Sequence, residues 1–212
     1  MDNRPTAIIG QNGAGKTTLV KLLKGLLKPV SGKVLLKGTN IADKTVATLA
    51  GQVGYVFQNP DDQIFKYNVL QEVMFGPLNI GMSKEEAEKK ALEALELVGL
   101  SAEKDKNPYD LELNERKMIA VASVVAMNPE VIILDEPTIA QDDKGRETIR
   151  NVINKMHDEG KLVIAILHDM DFVEESFERI IVMANGEVLA DGTAQEVFVE
   201  DNILKKAKII KN

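Results

Sequence analysis

The 212-residue sequence contains no cysteine. Disulfides and thiolate metal centres are therefore excluded, and a reducing compartment is expected. Long hydrophobic runs are missing as well. The longest apolar stretches, such as "MIAVASVVAM" and "VIIL", fall far short of the roughly 20 residues that span a bilayer. The start, "MDNRPTAIIG", lacks the basic residues and extended apolar core of a signal peptide. Basic residues are outnumbered, 26 Lys and Arg against 33 Asp and Glu, and a net charge of −7 provides no broad basic face for nucleic acid. The expectation is a cytoplasmic chain with no nucleic-acid partner, which reaches the membrane only through another protein.

What is present suits one domain with a smaller lobe. Apolar residues make up 44% of the chain and charged residues 28%, ordinary for a globular protein with a sizeable core. Short apolar runs alternate with helical patterns, which predicts an α/β fold with a mostly parallel sheet flanked by helices. "TAIIG" reads as a buried strand leading into a glycine loop and then a helix through "TTLVKLLKGLL". "GKVLLKG" reads as a short strand, and "QVGYVF" as another that closes at Gln58. "VIILD" and "KLVIAILH" show no polar alternation and read as strands buried on both faces. "RIIVMANGEVLADG" reads as a hairpin turning at Asn185-Gly186.

Between these strands the pattern changes. "SKEEAEKKALEALELVGL" predicts an amphipathic helix with Ser83 as N-cap, Glu86 three residues on and Gly99 at its end. "NERKMIAVASVVAM" predicts a second, more deeply buried helix. The organisation expected is a core of residues 1–75 and 129–212 with an inserted helical lobe at 76–128.

"GQNGAGKT", Gly10 to Thr17, fits the G-x-x-x-x-G-K-[ST] pattern in the required strand–loop–helix setting. The loop comprises Gly10, Gln11, Asn12, Gly13, Ala14, Gly15 and Lys16, followed by Thr17 and Thr18. Its glycines let successive N–H groups face phosphates, and the following helix adds its positive dipole end. Lys16 is expected to reach the β- and γ-phosphates, and the Thr17 hydroxyl to bind Mg²⁺. In "VIILDEP", Asp135 leaves the strand end where a carboxylate would hold Mg²⁺, and Glu136 could accept a proton from an attacking water. Gln58 and His168 also close strands, and ligands of open parallel sheets bind at such carboxyl ends. His157, in the polar helix end "KMHDEG", reads as structural.

In this order the pieces resemble the nucleotide-binding domain of ATP-binding cassette (ABC) proteins, a P-loop NTPase fold. The resemblance rests on a Walker A loop (Gly10 to Thr18), a Q-loop glutamine (Gln58), a helical lobe and a Walker B strand (Asp135, Glu136). A D-loop, "TIAQD" with Asp142, and a switch histidine (His168) complete it. "VGYVFQNPDDQIF" and "EVMFGPLNIG" look more narrowly like the ATPase subunits of energy-coupling factor (ECF) and cobalt-type importers. The resemblance implies an ATP hydrolase using ATP and Mg²⁺, peripheral on the cytoplasmic face of the membrane. It implies Glu136 as general base, His168 as γ-phosphate sensor, and Gln58 as Mg²⁺ ligand or water-positioning residue that couples the site to the lobe. It also implies a head-to-tail dimer, each ATP completed by the partner's signature motif, and a transmembrane coupling protein through which a vitamin or metal ion would be imported. A soluble non-transport cassette ATPase and a regulatory subunit with weak hydrolysis are the alternatives.

Two departures stand out. Where the family carries a Leu-Ser-Gly-Gly-Gln-like signature, this chain has "LELNE": Leu111 is kept, Glu112 replaces the serine, Leu113 and Asn114 the glycines, and Glu115 the glutamine. Losing a hydroxyl bonded to a charged phosphate costs roughly 1.5–3 kcal/mol. A carboxylate about 4 Å from a phosphate charge adds repulsion on the order of 4 kcal/mol at a near-surface dielectric. Either Glu112 obstructs a partner's ATP, which favours a heterodimer with a second ATPase subunit, or it bends toward its own helix start with Asn114 as N-cap. The second departure is that only nine residues, none aromatic, precede Gly10, where the family usually has two strands and an aromatic that stacks on adenine. Either the chain start is truncated or adenine is held in another way.

Overall fold

The computed structural model describes residues 3–199 and 207. The ends assigned to the core at residues 1–2, 200–206 and 208–212 lie outside the described residues. Strand β1 (Thr6–Ile9), buried throughout, runs through the glycine loop into α1 (Lys16–Leu23). A small hairpin, β2 (Leu35–Leu36) and β3 (Thr39–Asn40), and the short helix α2 (Val46–Ala50) lead to β4 (Val53–Val56). The helical lobe follows as α3 (Val69–Asn79), α4 (Lys84–Leu97) and α5 (Leu113–Val125). The chain then alternates through β5 (Val131–Asp135), α6 (Asp143–Asp158), β6 (Leu162–Ile166) and α7 (Met170–Ser176). It returns through β7 (Arg179–Ala184) and β8 (Glu187–Gly192) to α8 (Ala194–Phe198).

Six strands form one sheet in the order β4-β5-β6-β1-β7-β8. Every pairing is parallel except β7 with β8. The two-residue side-chain period of a strand sorts each central strand between two cores. Ile8, Tyr55, Ile133 and Ile164 face α1 through Ala14 and Val20. Ala7, Ile9, Ile132, Leu134 and Ala165 face the opposite side, with Ile119 of α5, Ile149 and Ile153 of α6 and Phe172 of α7. The sheet is thus covered on both sides, as a parallel sheet requires. The β7–β8 hairpin turns at Asn185 (φ 52°) and Gly186 (φ 83°), the positive-φ pair expected of a two-residue turn. Ser83 caps α4 by accepting the Glu86 N–H.

"GKVLLKG" contains the short strand expected of it, β2, which pairs with β3 in a separate two-stranded sheet. The structure departs from the sequence reading in three places. β4 stops at Val56 and β6 at Ile166, so Gln58 and His168 each lie two residues beyond the strand they were expected to close. The boundary placed at 75/76 falls inside α3, because the helix continues through "FGP" with Pro77 near its end. The N-cap of α5 is Glu112, not Asn114.

A half-buried charge lies at the end of α1, against the Tyr55 ring. Lys24 closes α1 with its ammonium 5.6 Å from the centre of the Tyr55 ring, and burial lowers its pKa to about 8. In the unfolded chain the group titrates at its ordinary value near 10.4. Between these values the unfolded state binds more protons, so stability rises with pH across that window, and below about pH 8 the charged form disfavours folding. Lys24→Met should therefore be the more stable protein at pH 7, by on the order of 1–2 kcal/mol after solvent screening. Urea titrations should show the gap closing as pH rises from 8 toward 10.5.

Candidate functional site

The parallel ladder sets the carboxyl ends of β1, β4, β5 and β6 along one edge of the sheet. A cleft of about 680 Å³ lies there, lined by residues 12–18, Gln58, Glu136, Ile139 and His168. Four segments distant in sequence therefore share one cavity. Of the expected site residues, Gly10, Gln11 and Asp135 do not line it; they support it from behind.

The loop from Gly10 to Gly15 needs its glycines for two different reasons. A Cβ on Gly10 would sit 2.2 Å from the Met183 carbonyl oxygen of β7, so the backbone can pass only without a side chain. Gly15 caps α1 in the left-handed region (φ 97°, ψ 5°), where other residues are strained. α1 thus begins at the cleft and points its free N–H groups into it. Lys16 Nζ donates to the Gly10 carbonyl at 2.6 Å and the Gln11 carbonyl at 3.1 Å, which holds the ammonium across the loop mouth. Burial lowers the Lys16 pKa, and the Glu136 and Asp135 carboxylates oppose that shift.

β5 delivers two acids to different places. Asp135 is the last buried residue of the strand and lies on the face toward α1; its Oδ2 accepts the Tyr55 hydroxyl at 2.6 Å. Burial raises the Asp135 pKa and Glu136 adds to the rise, while the Tyr55 hydroxyl and Lys16 counter it. At Glu136 the backbone turns left-handed, with φ 51°. Such a conformation is uncommon for a glutamate and is held only where the surroundings over-determine it. Here the Glu136 N–H donates to the Ile166 carbonyl at 3.1 Å, and its own carbonyl accepts Lys117 Nζ of α5 at 3.2 Å.

The turn swings the Glu136 carboxylate out of the sheet into the cleft. Gln58 Nε2 donates to its Oε2 at 2.6 Å, and His168 Nε2 lies 2.9 Å from its Oε1. A carboxylate can only accept, so in this pair Nε2 carries the proton. The Glu136 carboxylate is thereby oriented by two residues that follow the ends of β4 and β6. His168 is steadied in turn by its neighbour: Asp169 caps α7 through the Phe172 N–H and pairs with Arg146 of α6. In the D-loop, Asp142 caps α6 by accepting the Gly145 N–H at 2.7 Å, and Gln141 Nε2 donates to the Asn114 carbonyl at the start of α5. His157 stays away from the cleft, with Nδ1 3.2 Å from the Asn3 carbonyl oxygen.

The groups that could hold Mg²⁺ at this edge of the sheet are the Thr17 hydroxyl, the Asp135 carboxylate and the Gln58 amide oxygen. Among the described residues no group of three or more His, Cys, Asp or Glu side chains could hold a metal. That donor set suits Mg²⁺, which is commonly held by one or two carboxylates together with phosphate oxygens and water.

Three contributors escaped the sequence reading: Lys117, Tyr55 and the Arg146–Asp169 pair. Lys117 leaves a trace in the sequence, as a cation inside the apolar helix "NERKMIAVASVVAM". It is only 7% exposed; burial lowers its pKa, opposed by Glu136 and Asp135. Removing its ammonium frees the strained Glu136 turn. Lys117→Met should reduce ATP turnover about 10- to 100-fold, the cost of a misplaced catalytic group, with ATP affinity nearly unchanged. Steady-state kinetics paired with ATP titration would check this.

Comparison with known proteins agrees with this geometry. The ABC transporter family matches residues 2–139. The energy-coupling factor transporter ATP-binding protein EcfA2 of Clostridium perfringens is 43% identical over 210 residues, spanning 97% of this chain and 74% of its own length. The solved structure of CbiO1 from Clostridium perfringens, described as part of the ABC transporter complex CbiONQ, superposes with a TM-score of 0.83 at 37% identity, covering 98% of this chain and 84% of that one. A dimeric, post-hydrolysis ATP-binding cassette bound to ADP and Pi superposes with a TM-score of 0.82 at 29% identity, covering 91% and 86%. A strand–loop–helix phosphate cleft, a glutamate oriented from two neighbouring strand ends, and these relationships together make the chain a member of the ABC transporter ATPase family, an ATP hydrolase of the P-loop fold.

Proposed function

We propose that this chain is the ATP-hydrolysing subunit of an ECF-type importer, working on the cytoplasmic face of the membrane and driving uptake of a vitamin or a metal ion. The observation that carries the catalytic part is the bracketing of Glu136 by Gln58 and His168 beside the glycine loop. ATP phosphates would lie along the loop N–H groups and the start of α1, with Lys16 turning from its own carbonyls to the β- and γ-oxygens. Bound Mg²⁺, held by Thr17, Asp135 and Gln58, would neutralise phosphate charge. Glu136 accepts a proton from water in line with the γ-phosphate, and His168 follows that phosphate through its ring N–H.

Among the described residues no helix is long and apolar enough to cross a membrane, so transport on this reading requires a membrane partner. A groove of about 180 Å³ between β4 and the helical lobe suits that partner, with Phe57, Phe65, Phe75 and Met127 in its lining. Phe65 is 50% exposed and Tyr67 79%. The "NPDDQ" segment stands beside it: Gln63 Nε2 donates to the Ala120 carbonyl of α5, and Asp61 pairs with Arg116 at 3.0 Å. Gln58, five residues before Gln63, lies between this groove and the cleft, which gives docking a short route to the catalytic glutamate.

The start of α5 supports a heterodimer. Glu112 occupies the N-cap position and is exposed. The Glu115 carboxylate accepts the Glu112 N–H at 2.9 Å, and Asn114 Oδ1 accepts the Glu115 N–H at 2.9 Å. The N–H groups of Glu112 and Glu115 are thus engaged by this chain's own side chains, and the two carboxylates repel an incoming phosphate. The chain's own cleft, completed by another subunit's signature, stays competent; the cleft completed by "LELNE" is weak.

Glu136→Gln, which blocks hydrolysis, should bind ATP with Mg²⁺ yet remain monomeric in light scattering. Adding Glu112→Ser and Asn114→Gly should produce a dimer. A dimer of Glu136→Gln alone would overturn the asymmetric reading.

A further inference from the structure

The bond between Tyr55 and Asp135 is not accounted for by the phosphate loop, the catalytic glutamate or the dimer. Tyr55 lies on β4 with its partner Ile133 beside it on β5, and Asp135 is two residues further along the same face. The tyrosine hydroxyl therefore reaches forward along the sheet, and donates to Asp135 Oδ2 at 2.6 Å. The ring cannot easily swing away. It is 5% exposed, packs edge-on against Phe57 with centroids 4.9 Å apart, and carries Lys24 Nζ over it at 5.6 Å. A purely structural account leaves the hydroxyl unexplained, because every other side chain of β4 with that burial is apolar or glycine.

We propose that Tyr55 is the positioning residue for the cation-facing carboxylate: its hydroxyl locks one oxygen of Asp135 and so fixes the other for the divalent cation that accompanies ATP. This rests on the reading of Asp135 as a cation-facing group, and concerns how that group is held. An outer hydrogen bond of this kind sets the rotation of the carboxylate before the cation arrives. Without it, Asp135 must be reoriented on each binding event, and that cost falls on cation affinity alone. The ring also lines the aromatic groove next to the helical lobe, so a single side chain touches both the groove and the carboxylate.

The test measures how much Mg²⁺ tightens ATP binding, by calorimetric titration of the purified chain with ATP in excess Mg²⁺ and in excess EDTA. Tyr55→Phe keeps the ring and removes only the hydroxyl. Its ATP affinity in EDTA should equal that of the wild type, and its gain on adding Mg²⁺ should fall about tenfold, the lower end of what outer-sphere partners of metal ligands contribute. Asp135→Asn should lose most of that gain, and Tyr55→Phe added to Asp135→Asn should cost nothing more. Ile133→Val, which trims packing on the same face, should lower thermal stability without altering the Mg²⁺ gain. A Tyr55→Phe protein with the full wild-type gain overturns the inference, and so does an equal loss in EDTA and in Mg²⁺, which would make Tyr55 a packing residue. Asp135→Asn with an undiminished gain overturns the reading of Asp135 itself, and with it the premise.

Discussion

Parallel pairing of β4, β5, β6 and β1 is the constraint on which the rest depends. Evenly spaced backbone hydrogen bonds align these strands so that all four end at one edge of the sheet. Burial on both faces fixes the register, since a one-residue slip would turn Ile133 and Asp135 away from the α1 side and bring Leu134 there instead. The site follows from this alignment. Gln58 and His168 reach the same carboxylate because the strands that lead into them flank β5.

A second principle is the division of labour between Asp135 and Glu136. Adjacent residues on a strand point to opposite faces, which would bury one acid on each side of the sheet. The left-handed turn at Glu136 avoids this. Asp135 stays in the strand, buried and bonded to Tyr55, where it can face a cation. Glu136 leaves the strand and enters the cleft, where Gln58 and His168 orient it. The strain of that turn is offset by the Ile166 carbonyl and by Lys117, so the helix that begins at "LELNE" also supports Glu136 from within. One helix thus has a degenerate surface end and a functional buried side.

The head of α5 shows how a local rule can oppose an inherited role. Helix starts favour acidic and amide side chains, and Glu112, Asn114 and Glu115 satisfy that rule well. On the heterodimer reading proposed above, the same residues supply the charge that would turn away a phosphate. Gln141, which donates to the Asn114 carbonyl, joins this helix start to the D-loop.

Much of the protein was legible in the sequence, where the chemistry is local. The glycine loop, the strand ending at Asp135, the Asn185-Gly186 turn and the Ser83 cap each depend on residues within a few positions of one another, so short motifs specify them. The burial of "VIILD" on both faces followed from its unbroken apolar run. Tertiary structure alone decided the rest. That α3 runs through Pro77, that "GKVLLKG" pairs outside the main sheet and that Glu112 takes the N-cap depend on packing and competing donors, which no local pattern encodes. Tyr55 with Asp135, 80 positions apart, and Lys117 with Glu136, 19 apart, meet only because the sheet and the lobe bring them together. Residue types and spacing determined what chemistry was available; the register of the parallel sheet determined which groups could reach each other to perform it.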